Sequence, residues 1–106
     1  MVVEFEQDYL KELYRSGQCK NKKYRFQSHI VAKYKKCIDI LIAANRIEDI
    51  FPFRSLNYEV LSGDKKGISS IRVNAQYRIE FMVNKVEDKE PVLTICSILE
   101  LSNHYK

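Results

Sequence analysis

The sequence of 106 residues lacks the features that usually indicate a metal or cofactor site. Its three cysteines, Cys19, Cys37 and Cys96, form neither a Cys-x-x-Cys pair nor a Cys/His group, which argues against zinc. There is no glycine-rich phosphate loop, no nucleophile elbow and no set of acids at metal-ligand spacing. We therefore expect neither a metal ion nor an organic cofactor.

Long apolar runs are also missing. No run approaches the roughly 20 residues of a membrane-spanning helix, and the acidic N-terminal segment does not resemble a secretory signal. The odd number of cysteines fits a reducing compartment. These absences predict a cytoplasmic protein that does not act at a membrane.

The composition is that of one folded domain, and we assign residues 1–106 to it. Hydrophobic residues make up 45% of the chain, and seven Tyr and five Phe are available for a core. The formal net charge is +4, and the basic residues are concentrated between positions 11 and 36, where Glu12 is the single acid. Such a segment favours polyanionic partners.

The periodicity of the apolar residues predicts an α+β fold. It predicts, in chain order, a strand over 2–5, a helix over 7–16 ended by Gly17, a basic connector over 18–26, a helix over 28–45 capped by Ser28, a short strand over 57–61, a turn over 62–67, a hairpin over 68–83, a loop over 84–91 and a long strand over 92–101. On the last strand, alternation places Leu93, Ile95, Leu99 and Leu101 on one face and Thr94, Cys96, Ile98 and Glu100 on the other. We expect two N-terminal helices packed on one face of a small, mainly antiparallel sheet.

Parity fixes the register of the hairpin. If the apolar residues of both strands share a face, Val73 pairs with Tyr77 and Ile71 with Ile79, and residues 74–76 form a three-residue loop. The same register places Arg72 opposite Arg78, and Ser70 opposite Glu80, on the other face. Because opposed like charges destabilise a sheet, the pair has two interpretations: a solvated face on which Glu80 bridges the arginines, or a clamp for phosphate.

A small group of residues could supply the chemistry of RNA cleavage on that face. The 2′-hydroxyl of RNA is an internal nucleophile, so the protein needs only groups that move protons and stabilise charge. The candidates are Lys65 and Lys66 from the turn, Arg72 and Arg78 from the hairpin, and His104 and Tyr105 from the C-terminal segment. Lys22, Lys23 and Arg25 of the connector are candidates for contacts to the RNA backbone.

Residues 61–81, LSGDKKGISSIRVNAQYRIEF, resemble the central motif of HigB-type toxins, a branch of the RelE/ParE-like superfamily of bacterial toxin–antitoxin systems. The ending ILELSNHYK resembles the C-terminus of one branch of that family, and the similarity is most specific over residues 56–106. The resemblance implies a small α+β toxin of a type II system that cleaves mRNA on the translating ribosome. It also implies a cognate HigA-like helix-turn-helix antitoxin.

The family's functional positions fall here on Arg72, Arg78, His104 and Tyr105, and less directly on Lys65 or Lys66. Many HigB toxins end in Asp-Tyr-His, whereas this chain has Asn103-His104-Tyr105. The resemblance therefore leaves open whether His104 or Tyr105 handles the proton.

Two other functions remain open at the level of sequence. A relative of the ParE toxins would inhibit gyrase by binding, without catalysis. A plain RNA-binding domain would rely on the basic segment over 11–36. A C-terminal segment with both His and Tyr favours the nuclease.

Overall fold

The computed structural model describes residues 1–88 and 92–103, which fold into two helices and a five-stranded sheet. The helices are α1 (Asp8–Ser16) and α2 (Ser28–Ala43). The strands are β1 (Val2–Phe5), β2 (Glu59–Val60), β3 (Ser69–Arg72), β4 (Tyr77–Val86) and β5 (Leu93–Asn103). Single 3-10 turns occur at Lys22–Tyr24, Ile47–Ile50, Arg54–Leu56 and Gly63–Lys65.

The sheet has the order β1-β5-β4-β3-β2. Strands β2 to β5 form an antiparallel meander, and β1 joins the far side of β5 as the one parallel pair. The expectation of a mainly antiparallel sheet is therefore confirmed. The long β5 lies between β1 and β4, at the centre of the hydrogen-bonded network.

The helices form because apolar side chains recur at intervals of three and four residues. Helix α1 buries Tyr9, Leu10 and Leu13, and it ends where Gly17 adopts a φ of 80° and donates its N–H to the Leu13 carbonyl. Helix α2 buries six residues on one stripe: Ile30, Val31, Tyr34, Cys37, Ile38 and Leu41. Together with the apolar face of β3, β4 and β5 they make one core.

Four boundary predictions are corrected. The N-cap of α2 is Gln27, without a side-chain cap bond, so the Ser28 cap was wrong, and the helix stops at Ala43. The strand predicted over 57–61 is limited to Glu59–Val60. Strand β4 continues to Val86, so residues 84–86 belong to the sheet and not to the predicted loop.

The predicted faces of the last strand hold as far as Ile98 and are wrong beyond it, because β5 contains a β-bulge. Phe81 pairs with Ile98, whereas Glu80 pairs with Glu100, so Leu99 is an extra residue on β5. The bulge shifts the alternation by one residue, and Ile98 and Leu101 both enter the core. Regular alternation along the strand had placed these two residues on opposite faces.

Candidate functional site

The hairpin has the register that the sequence predicted. Ile71 pairs with Ile79, and Arg72 pairs with Arg78. The Val73 N–H donates to the Tyr77 carbonyl at 2.9 Å, which closes the loop over residues 74–76. Ile71 and Ile79 are fully buried beneath the helices, so both arginines point to the opposite face of the sheet.

Two rows of polar residues cross that face. One row contains Glu59, Ser70, Glu80 and Glu100 on the successive strands β2, β3, β4 and β5. The neighbouring row contains Arg72, Arg78 and Ser102. An acidic row therefore lies directly beside a basic one, and opposite charges on adjacent positions attract one another.

Glu80 is the centre of an ion-pair cluster. Its carboxylate accepts hydrogen bonds from Lys65 Nζ at 2.9 and 3.0 Å and from Arg78 Nε at 3.0 Å. The residue is only 2% exposed, so the two cations compensate a charge that is removed from water. The expectation that Glu80 bridges the two arginines is corrected: it joins Arg78 to Lys65.

Arg72 has a different environment. It is exposed, and its Nε donates to the Asn74 carbonyl at 3.1 Å. Asn74 also orders the loop, because its Oδ1 accepts the N–H groups of Gln76 at 2.9 Å and Tyr77 at 2.7 Å. The guanidinium of Arg72 is thus held at the end of the hairpin while most of it faces solvent.

The arginines line a cleft of about 370 Å³, counting the part that is open to solvent. Its walls are Asn57, Glu59, Ser70, Arg72, Asn74, Ala75, Tyr77 and Arg78. A carboxylate, Glu59, therefore lies in the same cleft as two guanidinium groups. This combination can bind a phosphate and take a proton from a hydroxyl beside it.

Glu59 is a candidate residue that the sequence patterns did not indicate. Glu59 could have been found from its pairing with Ser70. Ser70 in turn pairs with Glu80, and paired residues share a face of the sheet, so Glu59 lies on the same face as Glu80. The pairing of Glu59 with Ser70 depends on the course of the chain over residues 62–67. Lys66, in contrast, was predicted to contact RNA. It is an exposed residue at the end of the turn that contains Lys65.

The connector residues lie apart from the cleft. Lys22, Lys23 and Arg25 are exposed, and none of them is among the described residues that line it. The connector is fixed by its aromatic side chains. Tyr24 stacks on Tyr9 with ring centroids 3.7 Å apart, and Phe26 packs against Tyr77 in a T-shaped arrangement with centroids 5.4 Å apart. A role of the three cations in binding RNA stays a prediction.

Strand β5 ends beside two residues that line the cleft, Arg78 and Tyr77. Ser102 pairs with Arg78 and Asn103 with Tyr77. The Tyr9 hydroxyl accepts the N–H of Leu101 at 3.1 Å, just after the bulge, and burial raises the pKa of Tyr9 to about 12. His104 and Tyr105 lie outside the described residues, so their roles also stay predictions.

Over residues 1–88 and 92–103, no group of three or more His, Cys, Asp or Glu residues is arranged to hold a metal ion. None of the helices in the same ranges combines the length and the apolar character that crossing a bilayer requires.

Comparisons with known proteins support the resemblance seen in the sequence. A family model described as "RelE-like toxin of type II toxin-antitoxin system HigB" matches residues 3–92. Among solved structures, the fold is similar to that of a YoeB/ParE toxin from Agrobacterium tumefaciens. The identity is 22%, the match covers 99% of this chain and 100% of that chain, and the TM-score is 0.57. No match was found among curated proteins.

Proposed function

The chain belongs to the HigB family of RelE-like toxins of type II toxin–antitoxin systems, and on this premise we propose that it cleaves mRNA on the translating ribosome and so inhibits translation and growth. The observation that carries the proposal is the cleft that Arg72, Arg78 and Glu59 all line. Two guanidinium groups can bind a phosphodiester in bidentate fashion, and the carboxylate adds a group that can accept a proton.

The proposed reaction uses the 2′-hydroxyl of the RNA as its nucleophile. A base removes the proton of that hydroxyl, the oxygen attacks the adjacent phosphorus, and an acid protonates the departing 5′-oxygen. The products are a 2′,3′-cyclic phosphate and a free 5′-hydroxyl. The reaction requires no metal ion, because Arg72 and Arg78 can stabilise the negative charge that develops on the phosphorane oxygens.

The remaining residues have proposed roles around this pair. Glu59 is positioned to act as the base because it lines the cleft and is exposed to solvent. Glu80 holds the side chains of Arg78 and Lys65, which adds a cation beside the arginines. His104 and Tyr105 remain the candidates for donating a proton to the 5′-oxygen, since β5 brings the chain to Arg78.

The partners follow from the same premise. A toxin of a type II system has an antitoxin, and we propose a HigA-like helix-turn-helix protein encoded beside this gene. The ribosome and its mRNA are the proposed targets, which assigns the site of action to the cytoplasm. We propose that Lys66, Lys22, Lys23 and Arg25 contribute to electrostatic attraction of RNA, because all four are exposed cations.

The test is controlled expression of the chain in bacteria, with growth and the 5′ ends of a translated reporter mRNA as readouts. We expect growth arrest and new 5′ ends for the unaltered chain. Arg78→Ala, Arg72→Ala, Glu59→Gln and His104→Ala should each reduce cleavage, by roughly 10²-fold for the arginines. Arg15→Ala, which changes an exposed arginine on α1, is the matched control and should leave cleavage unchanged.

Circular dichroism verifies that each variant is folded. Cleavage that persists at full rate in both arginine variants would contradict the proposed site. Growth arrest with intact mRNA and arrested DNA synthesis would instead support gyrase inhibition. Binding of RNA without arrest or cleavage would reduce the protein to an RNA-binding domain.

A further inference from the structure

A second depression lies on the other side of Arg72, between α2 and the hairpin. We call it the α2 groove, and its empty volume is about 880 Å³, counting the part open to solvent. It is lined by Lys33, Lys36, Cys37 and Ile40 of α2, by Ser55 and Leu56, and by residues 72–75. Nothing in the proposed cleavage reaction uses this groove.

The charge of the α2 groove differs from that of the cleft. Lys33 and Lys36 are exposed, and a spacing of three residues places them on the same face of the helix. Among the described residues that line the groove there is no Asp or Glu, whereas Glu59 lies in the cleft. A polyanion would therefore find the two lysine charges without a competing carboxylate.

The groove has fixed walls. The Cys37 thiol lies 3.9 Å from the Arg72 carbonyl oxygen and can donate to it, which joins α2 to the end of β3. Leu56 and Val73 are buried at the base, with 4% and 6% of their surface exposed. The packed helix fixes the backbone positions of the lysines before a ligand arrives, so binding has to order only their side chains.

Arg72, Asn74 and Ala75 line both depressions, so the cleft and the α2 groove adjoin each other at the end of the hairpin. A strand of RNA with its scissile phosphate at Arg72 and Arg78 would carry further phosphates towards Lys36 and Lys33. We infer that the α2 groove is a second phosphate subsite that binds the RNA backbone next to the cleavage site. This inference rests on the proposed nuclease function and adds the direction in which the substrate strand runs.

The test measures binding of a single-stranded 2′-O-methyl oligoribonucleotide, which lacks a free 2′-hydroxyl and cannot be cleaved. Fluorescence anisotropy gives the affinity over a series of salt concentrations. Each lost phosphate contact makes the plot of log affinity against log salt shallower by about 0.7 for single strands. We expect Lys33→Gln with Lys36→Gln to reduce the slope by about 1.4.

The matched control is Lys11→Gln with Lys35→Gln, which removes the same net charge from positions outside the groove lining. It should leave the slope close to that of the unaltered chain. An equal loss of slope in both double variants would mean that only the overall charge matters, and that result would overturn the inference.

Other outcomes separate the inference from the proposed function. If the Lys33/Lys36 variant keeps the full slope while the unaltered chain cleaves mRNA in cells, the subsite is wrong and the nuclease stands. If the unaltered chain does not bind the oligoribonucleotide measurably at low salt, the proposed subsite is also wrong. The cleavage assay tests the proposed nuclease activity independently. If an oligoglutamate peptide requires Lys33 and Lys36 for binding and the oligoribonucleotide does not, the groove is a docking surface for an acidic protein instead.

Discussion

Glu80 is the residue whose substitution should most disturb the ion-pair cluster. It is buried, and it accepts hydrogen bonds from Lys65 and Arg78. Substitution by Gln keeps the size of the side chain but removes the charge that both cations require. We expect Glu80→Gln to lower the free energy of unfolding by about 2 kcal/mol, measured by urea denaturation.

Glu59 provides the control for that prediction because it belongs to the same row and is exposed. Glu59→Gln should change the free energy of unfolding by no more than about 0.5 kcal/mol. Equal effects of the two substitutions would show that the Glu80 ion pairs do not stabilise the fold.

Four buried acids determine how stability responds to alkaline pH. Burial raises the pKa of the Cys37 and Cys96 thiols from 9.0 to about 11 and that of Tyr9 from 10.0 to about 12, and it also raises the pKa of Tyr34. The unfolded chain loses these protons near the ordinary values, while the folded chain keeps them. The unfolded state therefore binds fewer protons above pH 9, and stability falls as pH rises.

We expect the free energy of unfolding to lose the contributions of Cys37, Cys96 and Tyr9 between about pH 9 and pH 12, and to keep them in full below about pH 9. Urea denaturation under reducing conditions measures this. In a variant with Cys37→Ala and Cys96→Ala, these contributions should begin to fall nearer pH 10, where tyrosine titrates. An identical onset in the variant and the unaltered chain would rule out the thiols as a cause.

At the scale of elements, the bulge in β5 is held by a contact from α1. The Tyr9 hydroxyl accepts the N–H of Leu101, and both residues are buried. Tyr9→Phe leaves that N–H without its acceptor, and an unsatisfied buried donor costs about 2 kcal/mol. We expect this loss in urea denaturation, together with a shift of the Leu101 amide resonance in NMR spectra.

Tyr14→Phe is the matched control. The Tyr14 hydroxyl also makes a hydrogen bond, to the carboxylate of Asp39, but that bond is exposed to solvent. Water can replace it, so the free energy of unfolding should fall by only about 0.5 kcal/mol. If both variants lose the same amount, the Leu101 contact has no special role in fixing the bulge.

The hairpin is the element that the sequence predicted best. Its register depends on alternation and on a short loop, and both are local properties. The bulge could not be predicted in this way. It inserts Leu99 opposite β4, and the choice of that residue depends on which side chains of β5 fit beneath the helices.

For the whole molecule, the order of the strands predicts an order of stability. Strand β5 has a hydrogen-bonded neighbour on each side, as do β4 and β3, whereas β1 and β2 are at the edges of the sheet. Ile79, Phe81 and Ile98 are fully buried on the central strands. Breaking their hydrogen bonds requires opening most of the core.

We therefore expect the slowest amide hydrogen exchange at β4 and β5, and faster exchange at Glu59–Val60 and at the turn Gly63–Lys65. Exchange followed by NMR gives the rate for each residue. Slower amide exchange at β2 than at β5 would contradict the prediction from the strand order.

The sequence by itself determined the elements whose causes are local. The stripe of apolar residues on α2, the stop at Gly17 and the pairing of Arg72 with Arg78 all follow from periodicity, turn chemistry and parity. The motif over residues 61–81 also determined the family, because it joins the turn to the hairpin in one continuous segment.

The tertiary structure decided which distant residues meet. Lys65 contacts Glu80, Glu59 enters the cleft, and Lys33 and Lys36 line a groove with Arg72. Each of these depends on how helices and strands that are far apart in sequence pack around one core. Local periodicity contains no information about such distances, and only the folded chain sets them.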